Sequence, residues 1–206
     1  MSVNDMKEMQ RTRVAVLGTL AEFHREPIPY DLGALMRLVR DLRPDLLCLD
    51  MTPTQWQQRD FGDLPPEYRD ALLPLAHQTD IVVVPIAGQS APEEPTAPGW
   101  RGSLIEMLRG WLAHVQRTAP GPAAINQGPR HFVANVLYGL IAWLAGSEAQ
   151  RAWQAHTDHL IQQVVQVVQR DPGRRVLVVV NVRHCHHIRP ALRKYPEVNI
   201  VSYSDL

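Results

Sequence analysis

Near the end of the chain, residues 175–192 read RVLVVVNVRHCHHIRPAL, an apolar run that passes directly into a dense group of reactive side chains. The guanidinium of Arg183, the thiol of Cys185 and the imidazoles of His184, His186 and His187 fall within five residues. Imidazole can ligate a metal or move protons near neutral pH, and guanidinium binds anions. His184 leads these candidates because it follows the apolar run most closely, with Asn181, Arg183 and His187 beside it. Two further groups lie far upstream: Gly18-Thr19 followed by Glu22 and His24, and Asp50 at the end of LLCLD. His24, Asp50 and His184 could hold a divalent metal, or serve with Glu22 as a general acid–base set without one. Arg183 would then stabilise developing negative charge, and Gly18, Thr19, Asn181 and His187 would contact substrate. Each also has a plainer reading: His24 as a surface loop histidine, Asp50 as a cap, the three late histidines as decoration of a helix start. His131, His156 and His159, with Asp158, read as solvated positions on helices. Cys48 and Cys185 read as buried structural thiols.

Bringing these groups together requires a parallel sheet. Val176–Val180 is unbroken and β-branched, the composition of a strand covered on both faces, and Arg13–Leu17, Leu46–Asp50 and Ile81–Ile86 read as three more strands. Asp31 is a fitting N-cap for a helix whose apolar positions Leu32, Leu35, Met36, Val39 and Leu42 keep helical spacing. Strand, helix, strand in so short a span predicts a right-handed βαβ unit. The fold class is α/β: a mainly parallel central sheet flanked by helices, in a single domain over 1–206. The carboxyl ends of parallel strands share one edge, where open α/β sheets bind ligands. Pro85 lacks a donor for a ladder, so the third strand ends there or lies at an edge.

Between the elements, 51–66 reads as a loop with at most a short helix, 66–77 as a helix, and the Pro-rich QSAPEEPTAPG (89–99) as a connection. A helical insertion over 100–170 follows the third strand. Its helices are expected at about 103–117, 129–144 and 147–170, with Ser103 and Glu106 as a capping box and Ser147 as an N-cap. TAPGPAAINQG (118–128) reads as loop. A helix at about 188–195 and a strand at 198–203 close the chain, and residues 1–10 read as polar and frayed. Trp100, Trp111, Trp143 and Trp153 on the insertion could pair two copies into a homo-oligomer, although core packing is the commoner use of tryptophan.

The 21 basic and 21 acidic residues cancel, which argues against a nucleic-acid partner bound by a general basic field. The longest apolar stretch, Phe132–Ala145, is broken by Asn135 and Gly139 and too short to span a bilayer, so no membrane association is expected. Two cysteines and an N-terminus without an apolar core point to the cytoplasm. There is no dinucleotide fingerprint, phosphate-binding P-loop or G-x-S-x-G elbow. The expected partner is a small-molecule or peptide substrate.

Taken in order, VAVLGT at 14–19, LRPDLLCLDM at 42–51 and RVLVVVNVRH at 175–184 resemble the TraB/GumN superfamily, which also groups Tiki, erythromycin-esterase-like and ChaN-like proteins. The resemblance covers both ends of the chain, roughly half of it. In that group the first strand ends in a GT-x-H or GE-x-x-H motif, the second near an acid after a "PD" turn, and a late strand in G-x-x-H. This chain has Leu20-Ala21 where the first histidine would follow, with His24 three residues late. It has Asp50 where glutamate is commoner, and Asn181 in place of the late glycine, with His184 in the matching position. The resemblance implies the α/β fold and metal-dependent cleavage of a peptide or ester bond. The ChaN-like relatives imply haem binding instead, and the departures from the motifs imply a third alternative, a noncatalytic protein that keeps the fold.

Overall fold

The computed structural model describes residues 11–206, so the expectation for residues 1–10 lies outside the described residues. The described residues form five parallel strands: β1 Thr12–Thr19, β2 Leu46–Leu49, β3 Val82–Pro85, β4 Val176–Asn181 and β5 Val198–Ile200. Their order across the sheet is β3-β2-β4-β1-β5. The expected βαβ start is present, with α1 (Leu32–Leu42) between β1 and β2 and Asp31 accepting from the Ala34 amide at its N-cap. β3 is an edge strand ending at Pro85, as the missing donor requires.

The period of two divides the strands between two cores. Ala15, Leu17, Leu47, Leu49, Leu177 and Val179 face α1 and the helical segments that follow β2, the first of them α2 (Pro53–Gln58). Val14, Val16, Cys48, Val176, Val178 and Val180 face the opposite layer. That layer is made by the C-terminal half of α7 (Ser147–Arg170), through Leu160, Val164 and Val168, and by α8 (Val182–Leu192), through Cys185, Ile188 and Leu192. Burial pushes the Cys48 thiol up to about 12 and the Cys185 thiol to about 11, so both are inert packing groups.

Four helices separate β3 from β4: α4 (Trp100–Arg117), α5 (Pro122–Asn126), α6 (Gly128–Ala145) and α7. α4 and α6 share a small core of their own, built on Ile105, Leu108, Leu112, Leu137 and Ile141. α7 differs from them, because its apolar stripe lies on the sheet. α4 begins at Trp100 behind Gly99, three residues before the expected capping box, and Ser103 makes no cap. Trp100, Trp111 and Trp143 are turned outward, while Trp153 is half-buried.

The sharpest difference from the sequence expectation is at α8. It starts immediately after β4 rather than near Ile188, because the Asn181 side chain caps it by accepting from the Arg183 amide at 3.1 Å. Pro190 sits in the last turn of this helix. The close passage of α8 over β1 explains Gly18: a Cβ there would lie 2.9 Å from the Val182 Cα. Gly18→Ala should therefore cost about 1–3 kcal/mol through overpacking of backbone on backbone. Urea unfolding of the variant measures it, and an unchanged midpoint would contradict this packing.

Beyond Val14, β5 no longer covers the outer edge of β1, yet that edge is buried. Side chains complete it. Asn126, fully buried on α5, accepts from the Gly18 amide at 2.6 Å and donates to the Gly18 carbonyl at 3.3 Å. Arg189 donates to the Val16 carbonyl and to the Asn126 side chain and carbonyl. The stretch expected to be plain loop thus holds a short helix that closes the sheet.

Candidate functional site

The strand order has a switch between β2 and β4. The chain leaves β2 toward β3 on one side and leaves β4 toward β5 on the other, and such a divergence opens a crevice at the carboxyl ends. Asp50 follows β2 and His184 lies in the first turn of α8, so these two sequence candidates meet in that crevice. The third member of the group is His156 from α7. One donor atom from each of Asp50, His156 and His184 lies within 4.8 Å of the other two.

The hydrogen bonds fix which atoms are presented. His156 Nε2 faces the Asp50 carboxylate, at 3.0 and 3.1 Å from its two oxygens, and can only donate to it. The Thr157 hydroxyl gives its hydrogen to the Trp153 carbonyl at 2.9 Å, so at 2.8 Å it must accept from His184 Nδ1–H. Neutral His184 is thereby held as the Nδ1–H tautomer, leaving the Nε2 lone pair unspent. Trp153 stacks on its ring with centroids 3.7 Å apart. Burial, with the Arg183 guanidinium nearby, lowers the His184 pKa well below the ordinary imidazole value. A neutral, oriented imidazole of this kind is what metal ligation or proton abstraction requires.

His24 does not join them. It lies on a short 3₁₀ turn, Ala21–Arg25, and is 1% exposed. Its Nε2 accepts from the Leu20 amide at 2.9 Å and its Nδ1 lies 2.7 Å from the Tyr30 carbonyl. Both nitrogens are spent tying the turn to the start of α1, so the expected metal set of His24, Asp50 and His184 is corrected to Asp50, His156 and His184. Glu22 is exposed and pairs with Arg25, away from the cluster. Gly18 and Thr19 are buried, their polar groups bonded to Asn126, Tyr30 and Val180, and contribute packing rather than contact with substrate. Asn181 caps α8 and also lines the crevice. His187 is exposed on the other side of α8, lining a cavity of about 500 Å³ with His186 and Asp158.

The crevice itself has a volume of about 310 Å³, and Asp50, His184, Arg183 and Glu67 line it. Glu67 is 1% exposed, and its Oε2 has no hydrogen-bond partner among the described residues. Burial raises its pKa, a neutral acid being cheaper than a desolvated carboxylate. It begins a six-residue π-helical segment, Glu67–Leu72, that continues into α3 (Leu73–His77), and π turns are frequent at functional sites. Ala21, in the left-handed region with φ 51°, also borders the crevice. The fold and site define a parallel α/β protein with a polar, strand-end cleft. Comparison with protein-family models, curated proteins and solved structures finds no match to the chain.

The buried imidazoles set a pH dependence. The His24 pKa is lowered to about 4, chiefly by burial, and that of His184 is lowered too, whereas an unfolded histidine takes up a proton near pH 6.5. Between those values the unfolded chain binds more protons, so these groups' contribution to stability is complete above pH 6.5 and lost as pH falls toward 4. Glu67, raised, works the other way as pH rises above 4.5, but His131, His186 and His187, also lowered by burial, add to the first two. The unfolding free energy from urea titration, and with it the midpoint, should fall from pH 7 to pH 5, the free energy by about 2 kcal/mol for His24 alone. A midpoint that rose over that interval would contradict neutral buried imidazoles.

Proposed function

We propose that the protein is a metal-dependent hydrolase of peptide or ester bonds, of the TraB/GumN type, with its site in the crevice between β2 and β4. The observation that carries the reading is the convergence of Asp50, His156 and His184. Two imidazoles and one carboxylate make up the three-protein-ligand set typical of a catalytic divalent site, and Asp50 and His184 also line the crevice by which a substrate would approach. Asp50, His156 and His184 would hold the ion, and binding at His156 Nε2 would release the proton that this nitrogen donates to Asp50. Thr157 and Trp153 hold the His184 ring in place. The chemistry a divalent ion would supply there is Lewis acidity toward a carbonyl and a lowered pKa for water.

Burial raises the Glu67 pKa, and the side chain lines the same crevice, which suits it to deliver a proton to a leaving group. Arg183 holds positive charge at the cleft wall. The two buried, unpaired thiols accord with a cytoplasmic protein. Among the described residues no helix is long and apolar enough to cross a membrane. The test is turnover of a panel of peptides and esters with zinc or manganese supplied. On any substrate cleaved by the wild type, Glu67→Gln should lower turnover by about 10²–10⁴-fold with bound metal unchanged. A variant as active as the wild type would remove Glu67 from the chemistry, and a wild type inert on the whole panel would count against the hydrolase.

A further inference from the structure

Arg183 is a buried cation without a proper partner. Its side chain is 8% exposed, with the guanidinium carbon 3.8 Å from the Trp153 ring centroid and 5.8 Å from that of Tyr138. Among the described residues its guanidinium makes no hydrogen bond, and its nearest carboxylate oxygen, Glu94 Oε2, is 3.9 Å away. Arginine carries five N–H donors, and a buried charge is normally paired and hydrogen-bonded. Aromatic rings on its faces leave the planar fork as the part that can reach a ligand.

Glu94 marks where that ligand would sit. Its carboxylate lies between two arginines, 3.9 Å from Arg183 and 3.3 Å from Arg109. Glu94 belongs to the irregular, Pro-rich connection between β3 and α4, and its side chain is 74% exposed, so nothing packs it into that position. Arg109 keeps Glu106 at 2.6 Å and the Pro95 carbonyl at 2.7 Å if Glu94 leaves. Arg183, Glu94, Asn181 and Ala21 also border a second cavity of about 470 Å³, whose far wall is apolar, with Leu20, Phe23, Leu112 and Ile141. Arg183 therefore stands where the polar crevice meets an apolar chamber, and Arg109 lines that chamber.

We propose that Arg183 and Arg109 form a carboxylate-recognition subsite that Glu94 fills in the free protein, and that the substrate carries a carboxylate beside an apolar group seated in the second cavity. A planar monoanion matches both the guanidinium fork and the carboxylate already there. As a statement about substrate, this rests on the hydrolase reading; as a binding site, it stands without it. Glu94 competes with the ligand, so removing its charge strengthens binding, the reverse of what loss of an ordinary contact does.

The test is calorimetric titration of chelator-treated protein with N-acetyl-L-phenylalanine and with its uncharged primary amide. The acid should bind at least tenfold more tightly than the amide, and Glu94→Gln should tighten the acid several-fold while leaving the amide unchanged. Arg183→Met should abolish binding of the acid. Because Arg183 is buried and its variant could unfold, Arg109→Gln, at a more exposed position, provides a second arm with an expected loss of affinity. Equal binding of acid and amide, no binding to wild type or Glu94→Gln, or weaker binding to Glu94→Gln would overturn the proposal. Inorganic phosphate binding more tightly than the acid would overturn the carboxylate assignment. With metal absent throughout, failure of the metal site leaves this titration unaffected, and failure here leaves metal content unaffected.

Discussion

Adding zinc or manganese to chelator-treated wild-type protein should raise its thermal midpoint by roughly 10 °C, and His156→Ala should abolish the response. An ion present at a thousand times its dissociation constant stabilises the folded state by about 4 kcal/mol, and a domain of this size moves about 2–4 °C per kcal/mol. His156 is the informative ligand because its side chain is 1% exposed and, among the described residues, hydrogen-bonds only Asp50. Without metal the variant loses a hydrogen bond to a charged group, worth about 1.5–3 kcal/mol, so its baseline midpoint falls as well. The diagnostic quantity is therefore the shift on adding metal, not the midpoint. A variant that shifts as far as the wild type would place any bound ion elsewhere.

Asn126→Ala should cost about 2–5 kcal/mol, lowering the midpoint by roughly 10 °C, although the residue lies outside the proposed chemistry. The change strands the Gly18 amide and takes an acceptor from Arg189, all at the uncovered edge of β1. Each buried group left unpaired costs about 1–3 kcal/mol. A loss of under 1 kcal/mol in urea unfolding would mean that water replaces Asn126, and that α5 does not close the sheet.

Much of the frame was readable from residue types. Val176–Val180 and Leu46–Leu49 are apolar on both faces, which only a covered parallel strand needs, and their carboxyl ends located Asp50 and His184 correctly at one edge. His24 misled because nearness to a strand end says nothing about direction. The turn at Ala21–Arg25 folds its ring inward, where it bridges two backbone groups. His156 was passed over because histidine on a long helix is usually solvated. Its phase held the missing signal: it precedes Leu160, Val164 and Val168 at steps of four, on the stripe that packs against the sheet. Glu67 stood among Arg69 and Asp70 in an ordinary helical pattern, and only the π turn, with Leu64 and Tyr68 buried around it, turns it into the crevice. Asn126 gave no sign, since closing an exposed strand edge depends on where β5 stops pairing.

The central claim is that Asp50, His156 and His184 form one metal site and that His24 is no part of it. Elemental mass spectrometry of untagged protein, purified without chelators and then dialysed, tests it directly in the wild type and in His156→Ala, His184→Ala and His24→Ala. The account predicts near-stoichiometric divalent metal in the wild type and in folded His24→Ala, and only traces in the other two. Metal retained by His156→Ala, or no metal in any of the four, would contradict it.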